Sequence, residues 1–103
     1  MTKNANVIQL NYENANRQIK ILKQAGANVG NEVKHLGEYR EGICKYWRGE
    51  AVQNYINKIS VVEKRLEDIS WMLKSVAEAL EEDAKALRNA ELQALQTAQT
   101  RNS

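Results

Sequence analysis

Several kinds of residue are missing or rare in this chain of 103 residues. Proline and phenylalanine are absent, glycine occurs five times, and cysteine and histidine occur once each. A chain without proline can form long, uninterrupted helices, and so few turn residues argue against an all-β fold. One cysteine excludes an intramolecular disulfide framework and a cysteine-based zinc site, and one histidine excludes a histidine cluster. We therefore expect no catalytic centre, no cofactor and no metal.

Long apolar runs and an excess of one charge are also missing. Fifteen Lys and Arg against thirteen Asp and Glu give a net charge of +2, and no basic block of the kind that binds nucleic acid occurs. No stretch has the length of a signal-peptide core or of a transmembrane helix. We expect no nucleic-acid partner, no integral membrane segment and no cleavable leader. The length fits a single domain over residues 1–103.

What the chain does contain is two long rows of apolar residues spaced alternately by three and four. This spacing predicts two amphipathic helices, at about 7–45 and 50–95, whose apolar rows pack against each other. Gly26 and Arg40 break the first row, and Asp83 breaks the second. The first row is Ile8, Tyr12, Ala15, Ile19, Leu22, Gly26, Val29, Val33, Leu36, Arg40, Ile43 and Trp47, and the second is Val52, Tyr55, Ile59, Val62, Leu66, Ile69, Leu73, Val76, Leu80, Asp83 and Leu87.

The predicted helix ends complete the fold. Asn6 is the expected N-cap of the first helix, with Gln9 as half of a capping box, and Glu50 suits the first turn of the second helix. The turn at Tyr46–Gly49 is short enough to return the second helix antiparallel to the first. The polar segment 97–103 is expected to be disordered. The sequence thus predicts an all-α fold, an antiparallel two-helix hairpin.

A hairpin of two helices buries only one side of each, so its own core is small. We expect two hairpins to associate into an elongated four-helix bundle. The candidate interface combines large side chains that point away from the second apolar row with a strip of small residues on the first helix. The glycines of that strip have an alternative explanation as tolerated residues on a solvated face. The candidate residues are Trp71, Met72, Val61, Gly30 and Gly37.

The residues that could carry catalysis do not come together. His35 and Cys44 are nine residues apart, which places them on opposite sides of one helix and excludes a Cys–His dyad within the chain. Cys44 is interpreted as a small packing residue. Glu32 and His35 have the Glu-x-x-His spacing of carboxylate-bridged metal sites, but no second copy accompanies them. We predict that the protein is not an enzyme.

The turn carries a resemblance to a known family. A small chain with two long helices and Trp47-Arg48-Gly49 at its midpoint, followed by Glu50-Ala51 and by Tyr55, resembles the WXG family of type VII (ESX) secretion proteins, the early-secreted-antigen-like proteins. The resemblance covers essentially the whole chain. It implies a helical hairpin that pairs as a homodimer, or as a heterodimer with another WXG-type protein or a larger toxin.

The resemblance also implies a role. Members are exported folded from Gram-positive bacteria by a membrane complex with an ATPase, and the Trp-x-Gly turn forms part of the export signal. The chain would be cytoplasmic before export and secreted afterwards. Many members carry Tyr-x-x-x-Asp/Glu late in the second helix, whereas this chain has Leu87 and Glu91 at that spacing. The alternative function is an intracellular helical-hairpin scaffold or chaperone without a role in secretion.

Overall fold

The computed structural model of the chain describes residues 4–101, and these form two long helices. Helix α1 spans Ala5–Tyr46 with 42 residues, and helix α2 spans Glu50–Arg101 with 52 residues. Between residues 4 and 101 there is no strand. The predicted all-α hairpin is confirmed, and both helices begin within two residues of the expected positions.

The first helix begins earlier than expected because a different asparagine caps it. The backbone N–H of Val7 donates to Asn4 Oδ1 at 2.9 Å, and the N–H of Ile8 donates to the Asn4 carbonyl at 3.1 Å. Asn4 is therefore the N-cap, and the prediction of Asn6 was wrong. Both asparagines can cap, and the helix extends to the earlier one because each added residue gains a backbone hydrogen bond. Gln9 instead lies near Glu13, at 3.5 Å.

The second helix ends later than expected. The sequence predicted an end near residue 95 and disorder from 97, but α2 continues to Arg101. The hydroxyls of Thr97 and Thr100 donate to the carbonyls of Gln93 and Gln96 at 3.0 and 2.9 Å. Alanine and glutamine, good helix formers, dominate this stretch, and no Gly or Pro ends it. Residues 102 and 103 of the predicted disordered segment lie outside the described residues.

The chain divides into two compact units, each containing a piece of both helices. The first unit comprises the described residues up to Leu22 and from Val76, and the second, which contains the turn, comprises Lys23–Ser75. In the first unit the guanidinium of Arg88 stacks on the ring of Tyr12 at 4.1 Å. In the second unit α1 and α2 contact each other through Gly26 and Ser70 and, nearer the turn, through Arg40 and Glu63.

The inward row of α1 agrees with the sequence. Every predicted position from Ile8 to Ile43 is buried or half-buried, including the two exceptions Gly26 and Arg40, and only Trp47 at the end is exposed. Ile8, Ile19 and Ala77 are the buried apolar residues of the described chain, and no large side chain in it is fully buried. The core of the hairpin is therefore thin.

The inward row of α2 differs from the prediction. One half of the predicted row, Val52, Ile59, Leu66 and Leu73, does face α1, whereas the other half, Tyr55, Val62, Ile69 and Val76, is exposed, as are Leu80, Asp83 and Leu87. The positions that take their place are each one residue later. They are Ile56, Glu63, Ser70 and Ala77. α2 is thus rotated about its axis relative to the prediction.

Two contacts explain this rotation. Ser70 is buried, and its hydroxyl donates to the Gly26 carbonyl at 2.8 Å, while Arg40 Nε donates to Glu63 Oε1 at 2.8 Å. The two breaks in the α1 row are therefore matched by polar residues of α2. A half-buried guanidinium without a carboxylate is unfavourable, and pairing it with Glu63 outweighs the apolar contacts that Val62 would make in the same position.

Candidate functional site

The turn between the helices has the conformation that its sequence suggests. Gly49 has φ of +127°, a backbone conformation that side-chain-bearing residues rarely adopt. Its carbonyl accepts from the N–H of Gln53 at 3.1 Å, and α2 begins at the next residue, Glu50, with its acidic side chain in the first turn. The reversal at Gly49 and the acidic start of α2 are both as expected.

Trp47 stands at the end of the hairpin with most of its surface in solvent. Its backbone N–H donates to the Ile43 carbonyl at 2.9 Å, which closes the last turn of α1, while the side chain is 66% exposed. The indole forms one wall of an apolar notch of about 300 Å³ between the helices, whose other walls are Ile43, Ala51, Val52 and Tyr55. Trp47 therefore covers one side of this notch and is not a buried core residue.

A second, shallow groove lies on the other side of the same indole. It follows the outer surface of the last turns of α1, has a volume of about 500 Å³ and has Gly42 in its lining. Tyr39 and Tyr46 line it, and both are more than 60% exposed. With Trp47 and Tyr55, four of the six aromatic residues of the chain are therefore exposed within one turn-proximal region.

The Arg40–Glu63 pair lies in the same unit, about four turns of α2 from Gly49. The side chains are 33% and 16% exposed. The hydrogen bond to Glu63, together with the charge of its carboxylate, raises the pKa of Arg40 above its usual value. Gly37 lies close by, since a Cβ added there would be 3.8 Å from Glu63 Oε2. The indication of this pair in the sequence is Arg40, a charged residue within an apolar row. A basic side chain at such a position needs an acidic partner on the facing helix.

Leu87 and Glu91, the pair expected to replace the family's C-terminal motif, lie in the first unit. Leu87 is 60% exposed and Glu91 is half-buried, one turn later on α2. Between them Arg88 turns inward onto Tyr12. The structure does not test whether this pair contributes to an export signal, and that role stays a prediction.

The residues of the candidate interface are distributed around the second unit. Val61, Trp71 and Met72 are all exposed on α2. Gly30 and Gly37 are instead half-buried against α2 of the same chain: a Cβ on Gly30 would be 3.4 Å from Ser70 Oγ. The strip of small residues thus accommodates the chain's own second helix, and its use in an interface between chains stays untested.

The remaining reactive side chains form no site. His35 Nδ1 is 3.8 Å from Glu32 Oε1, and both side chains are largely exposed. Cys44 is an exposed free thiol, so its interpretation as a packing residue was wrong; it lies past the edge of the inward row. No group of three or more potential metal ligands occurs among residues 4–101.

Neither described helix contains a stretch that is long and apolar enough to cross a membrane. Comparison with protein-family models, with curated protein sequences and with solved structures finds no match to this chain.

Proposed function

We propose that the protein is a small, non-enzymatic substrate or targeting partner of a type VII (ESX-like) secretion system. In this role it is exported folded, as a homodimer or a heterodimer, and the Trp47–Gly49 turn forms part of the export signal. The proposal includes binding of the protein to the secretion ATPase and its secretion out of the cell.

One observation carries the proposal: Trp47 is a large aromatic residue held in solvent at the tip of the hairpin. An indole that served only the core would be buried, whereas exposed Trp side chains are concentrated at binding sites. Gly49 adopts its positive φ without strain and holds the chain reversal in place beside the indole, so Trp47 is presented at a fixed position on the surface. The resemblance to the WXG family supplies the identity of that reader.

The test separates recognition from folding. In cells that carry a type VII system, the secreted fraction and the melting temperature are measured for wild type, Trp47→Ala and Ile21→Ala. Ile21 is the control, since it is a large apolar residue that is 63% exposed and lies outside both the turn and the candidate interface. Because Trp47 is largely exposed, its replacement should cost only about 1 kcal/mol.

We expect Trp47→Ala to fold and to remain inside the cell, and Ile21→Ala to be exported. Wild type should require the secretion ATPase to leave the cell. Normal secretion of a folded Trp47→Ala protein would remove the turn from the export signal. Retention of wild type in cells with an active ATPase would support the intracellular scaffold or chaperone instead.

A further inference from the structure

The groove on the outer surface of α1, beside the turn, contains a gap between two aromatic rings. Tyr39 and Tyr46 both line this groove, and they lie seven residues apart on one side of the helix, which separates them by about 10 Å along its axis. Gly42 lies between them, and a Cβ added there would meet no atom within 4 Å. A flat group in contact with a ring on either side needs about 7–8 Å, so the spacing has room for one. We call this gap above Gly42 the glycine slot.

The groove around the glycine slot is suited to a positively charged ligand. Glu38 is its acidic residue, and no Lys or Arg lines it in the part of the chain that the structure describes. Glu38 is exposed and forms no ion pair among residues 4–101. Trp47 adds a third ring to the lining. The faces of aromatic rings attract cations, and a carboxylate beside them adds to this attraction.

Two positive side chains of the protein itself lie on tyrosine rings. In the first unit the guanidinium of Arg88 is 4.1 Å from the centroid of the Tyr12 ring. Beside the glycine slot the ammonium of Lys45 is 5.9 Å from the centroid of the Tyr46 ring. The guanidinium approaches more closely because it is flat and weakly hydrated, whereas the ammonium is a compact and strongly hydrated charge. A slot between two rings therefore suits a guanidinium better than an ammonium.

The shape of the groove favours a peptide over a small molecule. The lining extends from His35 to Trp47, which is about 18 Å along α1. An extended peptide rises about 3.3 Å per residue, so five or six residues would follow the whole groove. Small organic ligands are normally bound in clefts that enclose most of their surface, and a shallow groove on the outside of one helix does not do so.

We propose that the glycine slot binds an arginine side chain from an extended segment of another protein. The guanidinium lies above Gly42, between the rings of Tyr39 and Tyr46, and donates hydrogen bonds to the Glu38 carboxylate. The backbone of the segment follows the groove towards Trp47. This binding is a role beyond export, and it depends neither on secretion nor on pairing of the hairpin.

The first test is an NMR titration of the purified, nitrogen-15-labelled full-length chain with three short peptides. The first is Gly-Ser-Arg-Ser-Gly with both ends blocked, and the other two carry lysine or citrulline in place of arginine. Citrulline has nearly the shape of arginine without its charge. The arginine peptide should shift the amide signals of Tyr39, Gly42 and Tyr46. The lysine peptide should bind about threefold more weakly, and the citrulline peptide should cause no shifts.

Variants of the slot separate binding from folding. Glu38→Gln should weaken binding of the arginine peptide about threefold, because it removes an exposed ion pair. Glu41→Gln is the matched control, an exposed acid of the same helix outside the groove lining, and should bind like wild type. Gly42→Leu fills the slot and should abolish binding. Its melting temperature should be at least that of wild type, because the site is open and leucine is a better helix former.

Three results would overturn the proposed binding. The first is the absence of shifts with the arginine peptide up to millimolar concentration. The second is equal binding of the arginine and citrulline peptides, or of wild type and Gly42→Leu, since either would mean that the slot does not hold a guanidinium. The third is cosedimentation of the chain with phosphatidylcholine vesicles without any effect of the arginine peptide, which would assign the rings to a lipid surface. Failure of export in cells, with the arginine peptide bound in solution, would contradict only the proposed function.

Discussion

Gly26 and Gly49 are glycine for different reasons. Gly49 has a backbone conformation that a Cβ would strain, with no neighbour within 4 Å of the added atom. Gly26 is in regular helix, and its constraint is space, because an added Cβ would lie 3.2 Å from Lys74 Cγ and 3.4 Å from Leu73 Cβ. The first glycine forms the turn, and the second brings the helices together where Ser70 donates to its carbonyl.

Replacing Gly49 should destabilise the hairpin through its backbone alone. A residue with a side chain at φ of +127° costs about 1–3 kcal/mol, and a β-branched residue costs more than alanine. The midpoint of urea unfolding should therefore be highest for wild type, lower for Gly49→Ala and lowest for Gly49→Val. Arg48→Ala, at the exposed neighbouring position, is the control and should unfold like wild type. An unchanged midpoint for Gly49→Val would mean that the turn tolerates another conformation.

Larger side chains should stabilise the protein at Gly42 but not at Gly26. Gly42 is helical with open space around it, so Gly42→Ala should stabilise the protein by about 1 kcal/mol through helix propensity. In Gly26→Ala the same gain in helix propensity is offset, because the Lys74 side chain must move to make room for the Cβ. The larger Gly26→Val should lower the free energy of unfolding below that of wild type. Chemical denaturation of the three variants measures this. An equal gain for alanine at both positions would contradict the close contact between the helices.

At the scale of the helices, the Arg40–Glu63 pair decides which side of α2 faces α1. Polar residues within an apolar row often fix the register of paired helices, because every other alignment leaves them without partners. Here the alignment that satisfies Arg40 also places Ser70 beside Gly26. The cost is that Tyr55, Val62 and Ile69 remain exposed.

Removing one member of this pair should harm the hairpin more than removing an exposed pair. Glu63→Gln leaves the half-buried guanidinium without its carboxylate, so the melting temperature should fall clearly. Asp68→Asn removes the partner of Lys64, whose pKa the Asp68 carboxylate raises, but both side chains are mostly in solvent and little should change. Thermal unfolding followed at 222 nm compares them. A larger loss for Asp68→Asn would refute this role of Glu63.

Replacing both members with leucine tests specificity separately from stability. Arg40→Leu with Glu63→Leu should retain or raise the melting temperature, because two apolar side chains replace a half-buried ion pair at the contact between the helices. The α2 row that includes Val62 would then compete for contact with α1. Broader amide signals in NMR spectra of the double variant, compared with wild type, would reveal alternative alignments. Sharp, wild-type-like spectra would show that Ser70 and the turn suffice.

At the scale of the whole molecule, thermal stability should depend on protein concentration. If the homodimer of the proposed function forms, it is favoured by mass action as the protein concentration rises. We expect the melting temperature of wild type to rise steadily over a hundredfold range of concentration. A melting temperature of wild type that does not change with concentration would indicate that the hairpin is stable as a monomer.

The helices, their antiparallel return and the turn could be predicted from the sequence. The spacing of three and four residues, the absence of proline and the single central Gly49 leave few other folds, since these are local properties of the chain. The sequence likewise predicted the inward row of α1 up to Ile43. For α2, hydrophobicity predicts the wrong row, because the more apolar of its two neighbouring rows is not the one that faces α1.

Which row of α2 packs against α1 depends on contacts between the two helices. Two rows one residue apart are both compatible with a helix, and a straight helix of 3.6 residues per turn drifts between them along its length. The choice depended on Glu63 meeting Arg40 and on Ser70 meeting Gly26, which are contacts between residues 23 and 44 positions apart. The spacing of residues within one helix does not predict such pairs, because their interaction energy depends on which residues of the other helix lie opposite them.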